Sequence, residues 1–124
     1  MRYEDGFYRR YVEFSTRSQA LGYVPSDTLC SWASERRMRA CSFGLMQLMG
    51  QTAREQGCKE PQLTRLLIPA VNLEWGCRFF RWCLNQKGGD VPAALLRYNG
   101  GANPTYDDTV LGHLNSGVFR EVLP

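Results

Sequence analysis

Apolar residues along this chain recur at helical spacing far more often than they alternate, which predicts a mostly helical protein. No Asn-Gly or Asp-Gly pair stands between alternating apolar runs, so no β-hairpin is expected. Asp5 to Phe14 sets Phe7, Tyr8, Tyr11, Val12 and Phe14 among arginines and reads as a short amphipathic helix or an aromatic strapping segment. Gly22, Pro25 and Ser26-Asp27 mark a loop and a helix start. In that helix Leu29, Trp32 and Ala33 form the apolar stripe. Glu35, Arg36, Arg37 and Arg39 form a solvated face that ends near Cys41. A second helix is expected from Phe43, with Leu45, Leu48, Met49 and Ala53 on one stripe and Gly57 just past its end.

Pro61 and Gln62 to Leu67 predict one short helical turn. From Ile68 a long helix follows, apolar around much of its circumference, carrying Val71, Leu73, Trp75, Phe79, Phe80, Trp82 and Leu84 to Lys87-Gly88-Gly89. It is the expected central buried helix, with Phe79, Phe80 and Trp82 in the core. Asp90 is placed to cap the next helix, Pro92 is tolerated in its first turn, and Gly100-Gly101 stops it. A last helix is expected from Thr105 to Leu114, before a weakly patterned tail from Asn115 to Pro124. The expected fold is all-α, with about five to six helices in one domain spanning 1–124.

Composition narrows the class without naming a partner. At 124 residues, 44% hydrophobic and 22% charged, the chain is a single globular unit with neither a disordered composition nor a membrane-spanning run. Its net charge of +3 is dominated by arginine but scattered, so the basic stripe of a nucleic-acid footprint is missing and no nucleic-acid partner is expected. Five cysteines without a Cys-x-x-Cys pair, and one histidine, His113, far beyond them, argue against a zinc site. Neither metal nor cofactor is expected. The thiols read as buried and reduced, His113 as a surface residue, and the N-terminus has no apolar signal region.

Chemistry concentrates in two places. Ser42-Phe43-Gly44-Leu45-Met46-Gln47 combines a glycine with methionine and glutamine where close approach by a polymer is possible, and Tyr98-Asn99-Gly100-Gly101 ends a helix with a ring, an amide and two flexible residues. Gly44-Leu45-Met46-Gln47, Thr52-Ala53, Asn72 with Gly76, and Ala94-Leu95 leading to Tyr98-Asn99-Gly100-Gly101 stand in register across residues 40 to 114. In this order they resemble the soluble lytic transglycosylase family of lysozyme-like enzymes. Arg2-Tyr3-Glu4 with Phe7-Tyr8-Arg9-Arg10-Tyr11 is similar to its phage and prophage branch.

The resemblance implies binding of peptidoglycan glycan strands and cleavage of the β-1,4 bond between N-acetylmuramic acid and N-acetylglucosamine, with a 1,6-anhydro product. The place of action is then the cell wall, reached after synthesis in the cytoplasm. Ser42, Gly44, Met46, Gln47, Tyr98, Asn99 and Tyr106 are the implied substrate-binding residues. Ser42 would hold the catalytic carboxylate and can also serve as a helix N-cap. The family's general acid is the glutamate of a Glu-Ser pair, and no such pair occurs here. Glu4, Glu13 and Glu35 lie upstream of Gly44; Glu35 is the fallback for the acid, although its setting reads as a solvated helix face. Aligned on Arg2-Tyr3-Glu4, the acid falls before Met1. The chain is expected to be a family member incomplete at its N-terminus, or a glycan-binding remnant without the acid.

Overall fold

The computed structural model describes residues 1–13, 15–26 and 30–116. These fall in two compact units, Met1–Phe79 and Phe80–Pro124.

The first unit begins with strand β1 (Arg2–Tyr3), helix α1 (Asp5–Phe7) and a wider π-type turn over Tyr8–Val12. The aromatic segment is therefore helical; Tyr8 and Val12 are its buried positions, packed with Ala40 and flanked by Phe7. Helix α2 (Trp32–Arg39) starts later than the sequence pattern suggested, because Ser31 supplies the cap: its Oγ accepts the Ser34 N–H at 3.2 Å. Phe14, Asp27 and Leu29 lie outside the described residues.

The segment from Cys41 to Met49 differs most from expectation. Instead of a helix beginning at Phe43, strands β2 (Cys41–Phe43) and β3 (Leu48–Met49) form a tight hairpin, and only then does helix α3 (Gly50–Glu55) begin. β1 pairs antiparallel with β2, setting Arg2 opposite Ser42 and Tyr3 opposite Cys41; β3 pairs on the other side, setting Ser42 opposite Met49 and Phe43 opposite Leu48. The protein is thus mainly α with a small three-stranded sheet. Burial drives this: Cys41, Phe43 and Leu48 pack in the core with Ala53, Cys58, Leu63 and Leu66, and Ser42 between them is buried too, whereas Leu45, on the supposed apolar stripe, is 72% exposed. Gly57 ends α3 at φ 94°, as expected of a glycine past the cap.

A 3₁₀ turn (Leu63–Leu67) leads into α4 (Pro69–Gln86), whose first part belongs to this unit. Val71, Trp75 and Phe79 pack half-buried against the core, but Leu73 is exposed, so the helix is one-sided and not buried all round.

In the second unit Phe80 and Trp82 are also half-buried and Cys83 is enclosed. The expected Phe79, Phe80 and Trp82 core cluster is therefore a set of flanking rings: Phe80 meets Tyr98 edge-on at 6.1 Å, and Trp82 carries the Arg97 guanidinium at 5.3 Å. Helix α5 (Val91–Tyr98) has Asp90 as its cap, the carboxylate accepting the Ala93 N–H at 3.1 Å, and packs against α6 (Tyr106–Asn115). His113 is exposed in the last turn of α6.

Candidate functional site

Gly44, Leu45, Met46 and Gln47 form the loop of the β2–β3 hairpin. Gln47 donates its backbone N–H to the Gly44 carbonyl at 3.1 Å and its side-chain Nε2 to the same oxygen at 2.7 Å. Both Gly44 (φ 66°) and Gln47 (φ 48°) are left-handed. For glycine this is free; for glutamine it is a strain that the surrounding bonds must hold. The Ser42 hydroxyl donates to Gln47 Oε1 at 3.2 Å, so Ser42 is a strand residue bound to the loop and not a helix cap.

The loop is held from below by Asn72 on α4, which is fully buried. Its Oδ1 accepts the Met46 N–H at 2.9 Å, and its Nδ2 donates to the carbonyls of Phe43 (2.7 Å) and Leu66 (3.0 Å). A Cβ on Gly44 would come within 2.7 Å of Asn72 Cγ, so only glycine fits beside this amide. One turn further along α4, Gly76 is buried, and a Cβ there would strike the Met46 Sδ. Met46 therefore rests on the face of Gly76, with its sulfur 4.0 Å from the exposed Cys77 thiol. The sequence carried Gly76 only as part of the family pattern and not among the substrate-binding residues; its place as the seat of Met46 comes from the fold.

The three candidate glutamates occupy different settings. Glu4 continues the β1–β2 pairing, donating its N–H to the Ala40 carbonyl at 2.8 Å, and its carboxylate pairs with Arg2 at 3.0 Å. Glu13 follows the π-type turn and accepts from Arg36 Nη1 on its backbone carbonyl at 2.6 Å. Glu35 is not on a solvated face: its exposure is 0%. Its Oε1 accepts from Arg39 Nε (3.1 Å) and Arg54 Nε (2.6 Å), and Oε2 accepts from Arg54 Nη2 at 3.1 Å. This face of α2, carrying both Glu35 and Arg39, is turned toward Arg54 on α3. Burial lowers the Arg39 guanidinium from its ordinary value, opposed by the adjacent Glu35 charge.

In the second unit, Tyr98 is half-buried against Phe80 in the last turn of α5, and Asn99 follows as its C-cap. The Asn99 Nδ2 is enclosed and has no hydrogen-bond partner among the described residues. Gly100 and Gly101, at φ 74° and 79°, then turn the chain. Tyr106 is half-buried at the start of α6.

Four cysteines, at positions 30, 41, 58 and 83, are buried free thiols, and burial raises each above the ordinary thiol value. Cys77 departs from the expectation of buried thiols.

Mainly helical with a small three-stranded sheet, the protein has a lysozyme-like fold. The family model for the transglycosylase SLT domain matches residues 18–109, most of the chain, so this chain belongs to the SLT transglycosylase family. Membership carries a lytic transglycosylase-type function at the level of the family, directed at peptidoglycan in the cell wall. No solved structure matches the chain. No helix among the described residues is long and apolar enough to cross a membrane.

Proposed function

We propose that this chain is a single peptidoglycan-binding lytic transglycosylase domain that cleaves between N-acetylmuramic acid and N-acetylglucosamine with a 1,6-anhydro product. The observation that carries the reading is the Gly44–Gln47 loop, whose exposed Gln47 side chain and strained backbone are held by Asn72 within the family-matched region. Ser42, Gly44, Met46 and Gln47 are proposed as glycan contacts. Tyr98, Asn99 and Tyr106 are proposed as further contacts.

In the proposed reaction a carboxylic acid protonates the bridging oxygen as its bond to C1 breaks. The substrate acetamido group stabilises the electron-poor C1; the carboxylate then takes the C6 hydroxyl proton while O6 bonds to C1. The acid is proposed to be a glutamate preceding Met1, as the likeness of Arg2-Tyr3-Glu4 to the phage and prophage branch suggests. The register of β1 supports this, since it directs the chain before Arg2 along β2 toward Gly44.

A second reading, a glycan-binding domain without cleavage, is favoured by one observation: Glu35, the fallback acid, is enclosed between two arginines. Digestion of purified sacculi with mass detection of anhydro-muropeptides tests both. Release of such products by the 124-residue chain overturns the binding-only reading; retention on sacculi without release supports it. Release only from a form extended upstream by a Glu-Ser pair supports the proposed acid. Failure to bind sacculi in either form overturns the proposed function.

A further inference from the structure

The β2–β3 hairpin is too short to fix its own position. Two residue pairs join its strands, and hairpins of that size are not stable alone. Asn72 holds its tip. Its feet are the end of α2, which runs into β2 through Ala40, and the start of α3, which follows β3 directly. These feet touch: a Cβ on Gly50 would meet the Met38 carbonyl and come within 3.0 Å of the Arg39 Cα.

The same two helices are tied by charge. Glu35 and Arg39 lie on α2 and Arg54 on α3, all with 0–1% exposure. The surplus positive charge is spread over oxygens of neighbouring segments. Arg39 donates to the carbonyls of Leu21 and Tyr23, each at 2.7 Å, and to Gln51 Oε1 at 3.0 Å. Arg54 donates to the carbonyls of Cys58 and Glu60, each at 2.7 Å. The rings of Trp32 and Tyr23 stack on the two guanidinium groups. Apolar residues would fill this space at lower electrostatic cost. What the charged set adds is direction, because each fork bonds only where oxygens stand at set places.

We propose that Glu35, Arg39 and Arg54 form a buried clamp across the feet of the hairpin, which fixes the Gly44–Gln47 loop and makes Glu35 a positioning residue rather than the acid. That the positioned loop serves a glycan site rests on the proposed function; the clamp itself does not. Opening the Glu35–Arg54 bonds frees α2 to move against α3, and the loop at the far end of both strands moves with them; the Arg39 bond lies within α2 and holds the Glu35 carboxylate in place for Arg54.

Amide hydrogen exchange on the whole chain tests this, in the wild type, Glu35→Gln and Arg54→Lys, with sacculus binding measured in parallel. Arg54→Lys keeps the charge and removes the fork. The expected result is a folded protein in which amides of Ser42 to Gly50 exchange about tenfold faster, while those of α5 are unchanged, and sacculus binding weakens in step. Folded variants with wild-type exchange in the hairpin overturn the clamp. So does a Glu35→Gln variant that keeps hairpin protection and binding but loses all cleavage, since Glu35 would then be the acid. If Glu35→Gln does not fold, Arg54→Lys decides alone. If the wild type does not bind sacculi, the functional reading fails while the exchange comparison still decides the clamp.

Discussion

Asn72 and Met46, twenty-six residues apart, are joined by a 2.9 Å hydrogen bond from the Met46 N–H to the Asn72 side-chain oxygen, and the same amide satisfies two further carbonyls. Replacing Asn72 by alanine leaves buried backbone groups at Phe43 and Leu66 without a donor and Met46 without an acceptor. The expected cost is about 3 kcal/mol, read from urea unfolding. Asn72→Asp keeps the acceptor and loses both donors, and is expected to destabilise by a similar amount.

Gly76→Ala separates the seat of Met46 from the stability of the helix. Alanine is the better helix former by ~1 kcal/mol, but its methyl displaces the Met46 thioether. The thermal unfolding midpoint is expected to fall modestly, because the Met46 Sδ and Cε can swing aside but its Cβ, at 3.0 Å, must also give, while sacculus binding falls severalfold. A binding assay on the folded variant checks this.

Gln47 holds a left-handed backbone that glycine would adopt freely. Gln47→Gly relieves strain worth roughly 1 kcal/mol and removes the bonds to Ser42 and Gly44. Stability is expected to stay within about 1 kcal/mol of the wild type, with glycan binding lost. Calorimetric unfolding together with a sacculus pull-down tests the split.

The thiols divide sharply. Burial raises Cys30, Cys41, Cys58 and Cys83, so at pH 8 they hold less thiolate than ordinary cysteines and are shielded from reagent; Cys77 is exposed. An aromatic disulfide reagent is expected to titrate one thiol in the native protein and all five in denaturant. The four buried thiols are expected to react only at higher pH or on unfolding.

Where structure is set by neighbours in sequence, the chain was legible. Asp90 caps α5, Gly100 and Gly101 end it, Gly57 closes α3, and α4 runs nearly as its periodicity indicates. The hairpin was not legible. Its strands are shorter than any window in which alternation can be read, its loop carries no Asn-Gly pair, and Leu45, Leu48 and Met49 happen to mimic helical spacing. Glu35 was misplaced for a related reason. An Arg four residues after a Glu on a helix ordinarily marks a surface pair, and the partner that draws this pair inward, Arg54, lies nineteen residues away in sequence. The loop motif, Asn72 and Gly76 were all picked out by the family pattern; that Asn72 holds the loop and Gly76 seats Met46 required the fold.

The three-stranded sheet joins partners of very unequal separation. Ser42 meets Met49 within one local turn, whereas Arg2 meets Ser42 across a loop of some forty residues. Loop-closure entropy places these contacts on different clocks. The hairpin contacts close only a short loop, whereas β1 joins them only after the intervening chain has collapsed. The first strand is then the last to dock and the first to leave, so a mutation at Arg2 or Tyr3 should alter unfolding rates far more than folding rates.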